Sequence, residues 1–337
     1  MKIGPISLAN NIAVAPMSGV SDVAFRRAAS DCGAGLVVSE MVASAELARA
    51  RPDMVRRAEG DPAVRPFVMQ LAGREPHWMA EGARLAEAAG ADIIDINMGC
   101  PSRQVTGQLC GSALMRDLDQ ALPLIEATVK ATSKPVTLKM RLGWDWNCLN
   151  APELALRAEA AGVQMITVHG RTRNDFYKGQ ANWSAVSAVS ENVSIPVIVN
   201  GDIVDLQTVR QALQESGAAG AMIGRAAVGR PWLPGAIATA LASGAAHIAP
   251  PSAEDQLAIA LAHYRHTLEV YGVRLGVKVA RKHLAGYVDH APLDIDPAMR
   301  RRLRAVICEL ADPGAVEDSL ACLFGGQGDR LLVPLAA

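Results

Sequence analysis

The chain has 337 residues, half of them hydrophobic and 20% charged, with a formal net charge of −1; it can bury a large core, which excludes a disordered polypeptide, and it is long enough for one large barrel plus an appendage. No stretch approaches the ~20 apolar residues of a membrane span, and the start, MKIGPISLANNIAVAPM, lacks the apolar core of a signal peptide, so a cytoplasmic location away from membranes is expected. Six cysteines, at 32, 100, 110, 148, 308 and 322, include no C-x-x-C pair and no histidine spaced to complete a zinc site, so neither a disulfide framework nor a metal centre is expected.

In chain order, short apolar runs alternate with Ala-, Glu- and Arg-rich stretches. The runs are IAVAPM from Ile12, LVVSE from Leu36, FVMQL from Phe67, IIDIN from Ile93, VTLKMR from Val136, MITVHG from Met165, PVIVNG from Pro196 and GAMIG from Gly220. Between them, segments such as EPHWMAEGARLAEAAG from Glu75 and APELALRAEAAG from Ala151 have helical spacing and close on a glycine suited to a C-cap. Apolar strands alternating with helices imply a parallel sheet covered on its outer face. Eight such units in ~240 residues predict an α/β fold of the (β/α)8 TIM barrel type. No G-x-G-x-x-G follows a strand, and no Walker A loop is present, which removes the best support for an open doubly wound sheet. After Gly244, AAHIAPPSAED reads as a Pro-rich linker and Asp255 to Leu323 as helical with no strand. The expected organisation is a catalytic barrel over 1–244, a linker over 245–254 and a small C-terminal helical domain over 255–337.

Strand side chains alternate in direction, so parity tells which residues share a face. Gln70 ends the third strand, Asn97 the fourth, Lys139 and Arg141 the fifth, His169 the sixth and Asn200 the seventh. In a closed barrel these ends form one rim, where catalytic groups of this architecture sit. So many polar groups at ~1–3 kcal/mol each when unpaired call for a ligand to satisfy them. After the seventh and eighth strands, VNGDI and GAMIGRAAVGRP place Gly201 and Gly224 where backbone N–H groups approach closely, with Arg225 alongside: the recurring phosphate position of such barrels. A phosphate-anchored ligand whose head lies over Gln70 and Lys139, against APMSG of the first strand, suggests FMN. Gln70 would pair with the ring edge, Lys139 would offset the charge of the reduced ring, and Pro16, Met17 and Ser18 would offer backbone contacts.

Charge is distributed unevenly. Arg265 to Arg304 carries nine Lys or Arg against four Asp or Glu, a local +5 that leaves −6 for the remainder. That is the electrostatic footprint of a nucleic-acid partner, although a solvated helix face gives the same count.

Seven ordered motifs, APMSGVSD, DINMGCPS, GSALMRD, LKMRLGW, VHGRTR, VNGDI and MIGRAA, resemble the serial signatures of the tRNA-dihydrouridine synthases, in particular the bacterial DusB-like branch. The resemblance runs from Pro16 to about Pro231 and resumes in ARKH at Ala280. It implies a flavoenzyme that uses NADPH to reduce particular uridines of the tRNA D-loop to 5,6-dihydrouridine. By motif, Cys100 would donate the proton; Pro16 to Ser18, Gln70, Lys139, His169, Asn200, Gly201, Asp202, Gly224 and Arg225 would hold FMN. Asn97, Arg141 and Arg171 would face the substrate, and Arg281, Lys282 and His283 would grip tRNA. After that last motif the chain has LAGY where the family pattern is Gly-Trp-Tyr-like.

The chemistry explains a thiol between Gly99 and Pro101. Reducing the 5,6 bond of uracil needs hydride at C6 and a proton at C5. An ordinary thiol, of pKa ~8.5, is protonated near neutral pH yet acidic enough to donate. The following proline restricts Cys100 to extended geometry and stiffens the loop. Cys110, in QLCGSAL, reads as part of a close-packed segment. Two enzymatic alternatives share the barrel: a flavoenzyme acting on a small pyrimidine or enone, and a lyase with Lys139 as a Schiff base. No obligate protein partner is implied.

Overall fold

The computed structural model describes residues 1–107 and 109–326. Eight parallel strands close into a barrel in chain order: β1 (Ile12–Val14), β2 (Leu36–Ala43), β3 (Val68–Ala72), β4 (Ile93–Met98), β5 (Val136–Arg141), β6 (Met165–His169), β7 (Val197–Asn200) and β8 (Gly220–Ile223), which pairs back onto β1. Helices α1 (Val23–Asp31), α2 (Pro76–Ala88), α3 (Leu118–Lys130), α4 (Ala151–Ala160), α5 (Ser184–Ser190), α6 (Leu206–Ser216) and α7 (Leu233–Ser243) return the chain outside the strands. This is the expected (β/α)8 barrel. Local chemistry sets the helix ends: Asp205 and Thr208 form a capping box at the start of α6, and Gly217, at φ +61°, ends it in the left-handed conformation that a Cβ disfavours.

Parity along each strand divides the barrel wall into two faces. Val136, Leu138 and Met140 of β5 point outward into the layer between sheet and helices, as do Ile94, Ile96 and Met98 of β4. Their neighbours point inward, and the interior is layered. Leu36, Val38, Val68, Ile93, Met165, Ile198 and Met222 form an apolar floor, each contributing ~1.5–3 kcal/mol by leaving water. Above it lie Glu40, Gln70, Asp95, Asn97, Lys139, Arg141 and Asn200, all buried. A short hairpin of Lys2–Ile3 with Ile6–Ser7, not anticipated from the sequence, adds Ile3 and Leu8 to the floor. Among the described residues, the barrel interior is apolar at one end and polar at the other.

Beyond Gly244 the described chain is helical: α8 (Ala253–Tyr271), α9 (Val273–His290), α10 (Pro297–Glu309) and α11 (Pro313–Phe324). Residues 327–337 of the expected helical domain lie outside the described residues. Helix α8 begins two residues before the expected boundary, because Ser252 accepts from the Asp255 N–H as N-cap. These helices enclose a second core of Tyr264, Leu284, Tyr287, Leu303 and Leu320, which Trp232 of the barrel joins. The LAGY departure lies at this junction. Gly286 packs so closely on Gly229 that a Cβ on Gly229 would sit 2.0 Å from the Gly286 carbonyl carbon, and Gly229 itself has φ +74°. Tyr287 is buried there against Trp232. The segment docks helix on barrel.

Candidate active site

Cys100 lies just past β4, and its backbone is held on every side. Asn97 Oδ1 accepts from the N–H of Gly99 (3.2 Å) and of Cys100 (3.0 Å), while the Cys100 carbonyl accepts from Ser112 N (3.1 Å) and Oγ (2.8 Å). Arg141 Nε donates to the Gly99 carbonyl at 2.8 Å. Gly111 completes the frame, since a Cβ there would stand 2.9 Å from the Cys100 oxygen. A half-buried thiol on so constrained a backbone can be aimed.

The inward side chains form one connected network. Gln70 Nε2 donates to Asp95 Oδ2 (2.7 Å), Thr137 Oγ1 donates to Asp95 Oδ1 (2.6 Å), and Asn97 Nδ2 donates to Gln70 Oε1 (2.7 Å). Sequence reasoning missed Asp95, Thr137 and Glu40. The parity that found Asn97 and Lys139, continued one step inward along β4 and β5, points to Asp95 and Thr137. Burial raises the Asp95 pKa, an effect its bonds to Thr137 and Gln70 oppose.

Lys139 Nζ donates to Asn200 Oδ1 at 3.0 Å, and Asn200 Nδ2 is fixed by the Met222 carbonyl at 2.8 Å. Burial, with Arg141 nearby, pushes the Lys139 pKa down to about 8, so the ammonium is poised to gain from an anionic neighbour. Among the described residues no carboxylate pairs with it. Cys100 lies within electrostatic range of both Lys139 and Arg141.

His169 is held well below the usual imidazole pKa, first by burial and then by Lys139, Arg141 and Arg171, so its ring is neutral. Arg171 Nη1 lies 3.3 Å from His169 Nε2; a guanidinium only donates, so Nε2 accepts and the proton sits on Nδ1. Asp202, at φ +51°, accepts from Arg171 Nη2 (2.5 Å) and from the Ala181 N–H (2.8 Å), with the exposed Arg225 3.7 Å away. Gly201, at φ +116°, has no room for a side chain: a Cβ would stand 2.8 Å from Ala181 Cβ and 3.0 Å from the His169 ring. At Gly224 a Cβ would meet only ordinary contacts at 3.9 Å, with Ala15 and Met17. On the opposite side, Ser21 Oγ accepts from the Met17 N–H at 2.8 Å and fixes the Pro16–Ser18 turn.

Several expected substrate contacts are engaged within the protein. Arg171 is 2% exposed, and its donors are engaged by Asp202 and the carbonyls of Lys178 and Gly179, which shapes the loop. Arg141 is 1% exposed and, besides Gly99, serves the carbonyls of Thr172 (2.7 Å) and Phe176 (2.9 Å), tying the Cys100 loop to the loop after β6. Asn97 has its oxygen committed to the Cys100 loop. His283 is 2% exposed and stacks on Phe25. Lys282 reaches back to the Gly19 carbonyl, while Arg281 is exposed. An unanticipated residue is Tyr177: its exposed ring lies 5.7 Å from the Arg141 guanidinium and 5.5 Å from that of Arg225.

The family model described as dihydrouridine synthase (Dus) matches residues 13–318. The chain is 50% identical over 311 residues to a probable tRNA-dihydrouridine synthase of Rhizobium leguminosarum bv. phaseoli, covering 92% of this chain and 94% of that one. It is 48% identical over 322 residues to a probable tRNA-dihydrouridine synthase of Rickettsia conorii, covering 95% of each. With tRNA-dihydrouridine synthase B of Pseudomonas putida it shares 43% over 294 residues, 87% of this chain and 86% of the other.

Proposed function

This chain belongs to the dihydrouridine synthase family, and from that premise we propose that it reduces the C5–C6 bond of specific uridines in the tRNA D-loop, with FMN resident in the barrel mouth and NADPH as a transient reductant. It is a tRNA-dihydrouridine synthase, an oxidoreductase acting on CH–CH groups. The observation that carries the finer reading is the buried Lys139 ammonium, with Asn200 as its hydrogen-bond partner, standing beside the fixed Cys100.

The residues fit a flavin. Lys139 and Gln70 would offer a bound flavin a cation and an amide for a ring edge that carries carbonyl and N–H groups. Gly201 keeps a backbone bare of side chain beside neutral His169, and Arg225 adds an exposed cation for a phosphate. Asn200 and Asp202 orient Lys139 and Arg171, Gly224 leaves space beside Met17, and Pro16 to Ser18 offer backbone from β1. When bound, the flavin supplies the hydride for C6. Cys100 supplies the proton for C5, where enolate-like charge develops, and Arg141 and Asn97 hold its loop in place. A ping-pong order lets NADPH leave before tRNA enters, so no resident nicotinamide site is required.

The target base must leave its stack, which costs least in a loop, by a few kcal/mol. Helix α9 carries Arg274, Lys278 and Arg281 at i, i+4 and i+7, all exposed, as a stripe for phosphates. The rest of the basic segment is partly used within the protein: Arg265 pairs with Glu317, Arg304 with Asp289, and Arg300 serves carbonyls at the end of α9. Replacing the three stripe residues with alanine raises KM for tRNA ~10-fold or more and lowers the slope of log KM against log salt by about 2–3, with kcat little changed. Steady-state assays at several salt concentrations check this, and an unchanged slope removes the stripe from the RNA contact.

The proposed function is tested by mapping dihydrouridine in tRNA from a strain lacking the gene and from the complemented strain. One or more D-loop positions should return to uridine and be restored on complementation. An identical map in both strains overturns the proposal.

A further inference from the structure

We propose that Asp22, His263 and His283 form a binding site for one divalent transition-metal ion, of the zinc class, that ties the barrel to the helical segment. The three residues come from separate elements: Asp22 is the N-cap of α1, His263 lies in α8 and His283 in α9. One ligand atom from each lies within 4.8 Å of the others, and all three residues are buried. Their separation in the sequence hides them from any reading based on local spacing.

Asp22 Oδ2, His263 Nε2 and both ring nitrogens of His283 are buried without a hydrogen bond of ordinary geometry, although the Tyr271 hydroxyl stands close to Asp22 and the Val20 backbone close to His283. Buried polar atoms in native proteins almost always have partners, so three such groups converging on one point call for a shared one. The groups are also prepared as ligands. Asp22 Oδ1 accepts from the Phe25 N–H at 3.0 Å, and Oδ2 is the second oxygen of the carboxylate. Burial raises the Asp22 pKa, and the Phe25 N–H, Lys282, Arg26 and the Tyr271 hydroxyl oppose that rise. His263 Nδ1 lies 3.0 Å from the Tyr287 hydroxyl. When Nδ1–H donates there, Nε2 is left with a lone pair, the usual arrangement in which an outer partner fixes the tautomer of a metal-bound histidine. His283 is held flat against Phe25, with ring centroids 5.1 Å apart. Burial lowers both histidine pKa values, His263 to about 3, so both imidazoles are neutral, as ligation requires.

The ligand set selects the ion. Two imidazoles and one carboxylate suit zinc and its neighbours in the first transition row, whereas magnesium and calcium prefer all-oxygen sites. A groove of about 300 Å³ between α1 and α8, lined by Arg27, Asp31, His263, His266 and Glu269, borders His263. An ion here would fix α1, whose N-terminus follows the Met17–Ser21 turn at the barrel mouth, against the helices that carry the basic stripe.

The test uses the full chain, expressed with added zinc, desalted and assayed by elemental analysis. The expected result is about one zinc per chain. Asp22→Asn separates ligation from folding, because an asparagine oxygen caps α1 as well as aspartate does but is a far weaker metal ligand; it should stay folded and lose the metal. In wild type, removal of metal with a chelator should lower Tm by roughly 5 °C and zinc should restore it, with no zinc response in Asp22→Asn. As a second readout, cobalt added to the chelated wild type should give d–d absorption at wavelengths beyond the flavin bands. Metal content below about a tenth of an ion per chain, together with no Tm response to zinc and no cobalt spectrum, overturns the proposal.

Discussion

Cys100→Ala should remain yellow and still be bleached by NADPH, while its rate of dihydrouridine formation falls ~10²–10⁴-fold, the range a positioned general acid contributes. The separation of the two half-reactions is what makes the result specific. Nothing in the flavin contacts proposed for Gln70, Lys139 and His169 involves the Cys100 side chain, whereas C5 protonation is assigned to it. The frame that aims the thiol is built from backbone groups: the Asn97 oxygen bonds two N–H groups, Ser112 bonds the carbonyl, and Arg141 holds the Gly99 carbonyl. The alanine variant therefore keeps the loop and loses only the proton. Stopped-flow traces of flavin bleaching with NADPH, and of colour return on adding tRNA, measure the halves separately. Normal colour return in the variant would show that another group donates.

Lys139→Met should weaken flavin retention by roughly 10- to 150-fold, the value of a charge-assisted hydrogen bond of ~1.5–3 kcal/mol. It should also slow bleaching by NADPH, since charge arriving on the ring loses its counter-ion. The substitution is close in shape and removes a cation that burial already disfavours, so the fold should tolerate it. A pH dependence follows with a definite sign. In the ligand-free protein the Lys139 pKa is depressed from 10.5 to about 8, so the ammonium is present at pH 7 and lost as pH rises through about 8. Flavin affinity in wild type should thus fall between pH 7 and pH 9, and that fall should be missing from Lys139→Met. Titrations of flavin fluorescence at each pH check both statements; equal affinity of the two proteins at pH 7 would remove Lys139 from the flavin contact.

The barrel was legible because its signal is local. Eight apolar runs separated by helical segments carry the fold class, and the alternation of β5 puts Lys139 and Arg141 on one face without knowledge of any neighbour. What escaped depends on partners far along the chain. Arg171 looks like a surface cation until Asp202 and the carbonyls of Lys178 and Gly179 enclose it. His283 follows Arg281 and Lys282 in a basic motif, yet the helix turns it onto Phe25 while Arg281 faces solvent. The +5 count for Arg265 to Arg304 treated all cations alike, although Arg265, Arg300 and Arg304 serve the protein's own carboxylates and carbonyls. The N-terminal hairpin, with strands of two residues each, is too short to show a period.

The central claim is that one site moves a hydride and a proton onto a uracil presented by tRNA. It is tested most directly by mixing NADPH-reduced protein, without oxygen or free NADPH, with tRNA lacking modifications. The account predicts that flavin absorbance returns and that one dihydrouridine forms per flavin reoxidised, with free uridine inert under the same conditions. If the absorbance stays bleached with tRNA, or returns equally with free uridine, the claim is contradicted.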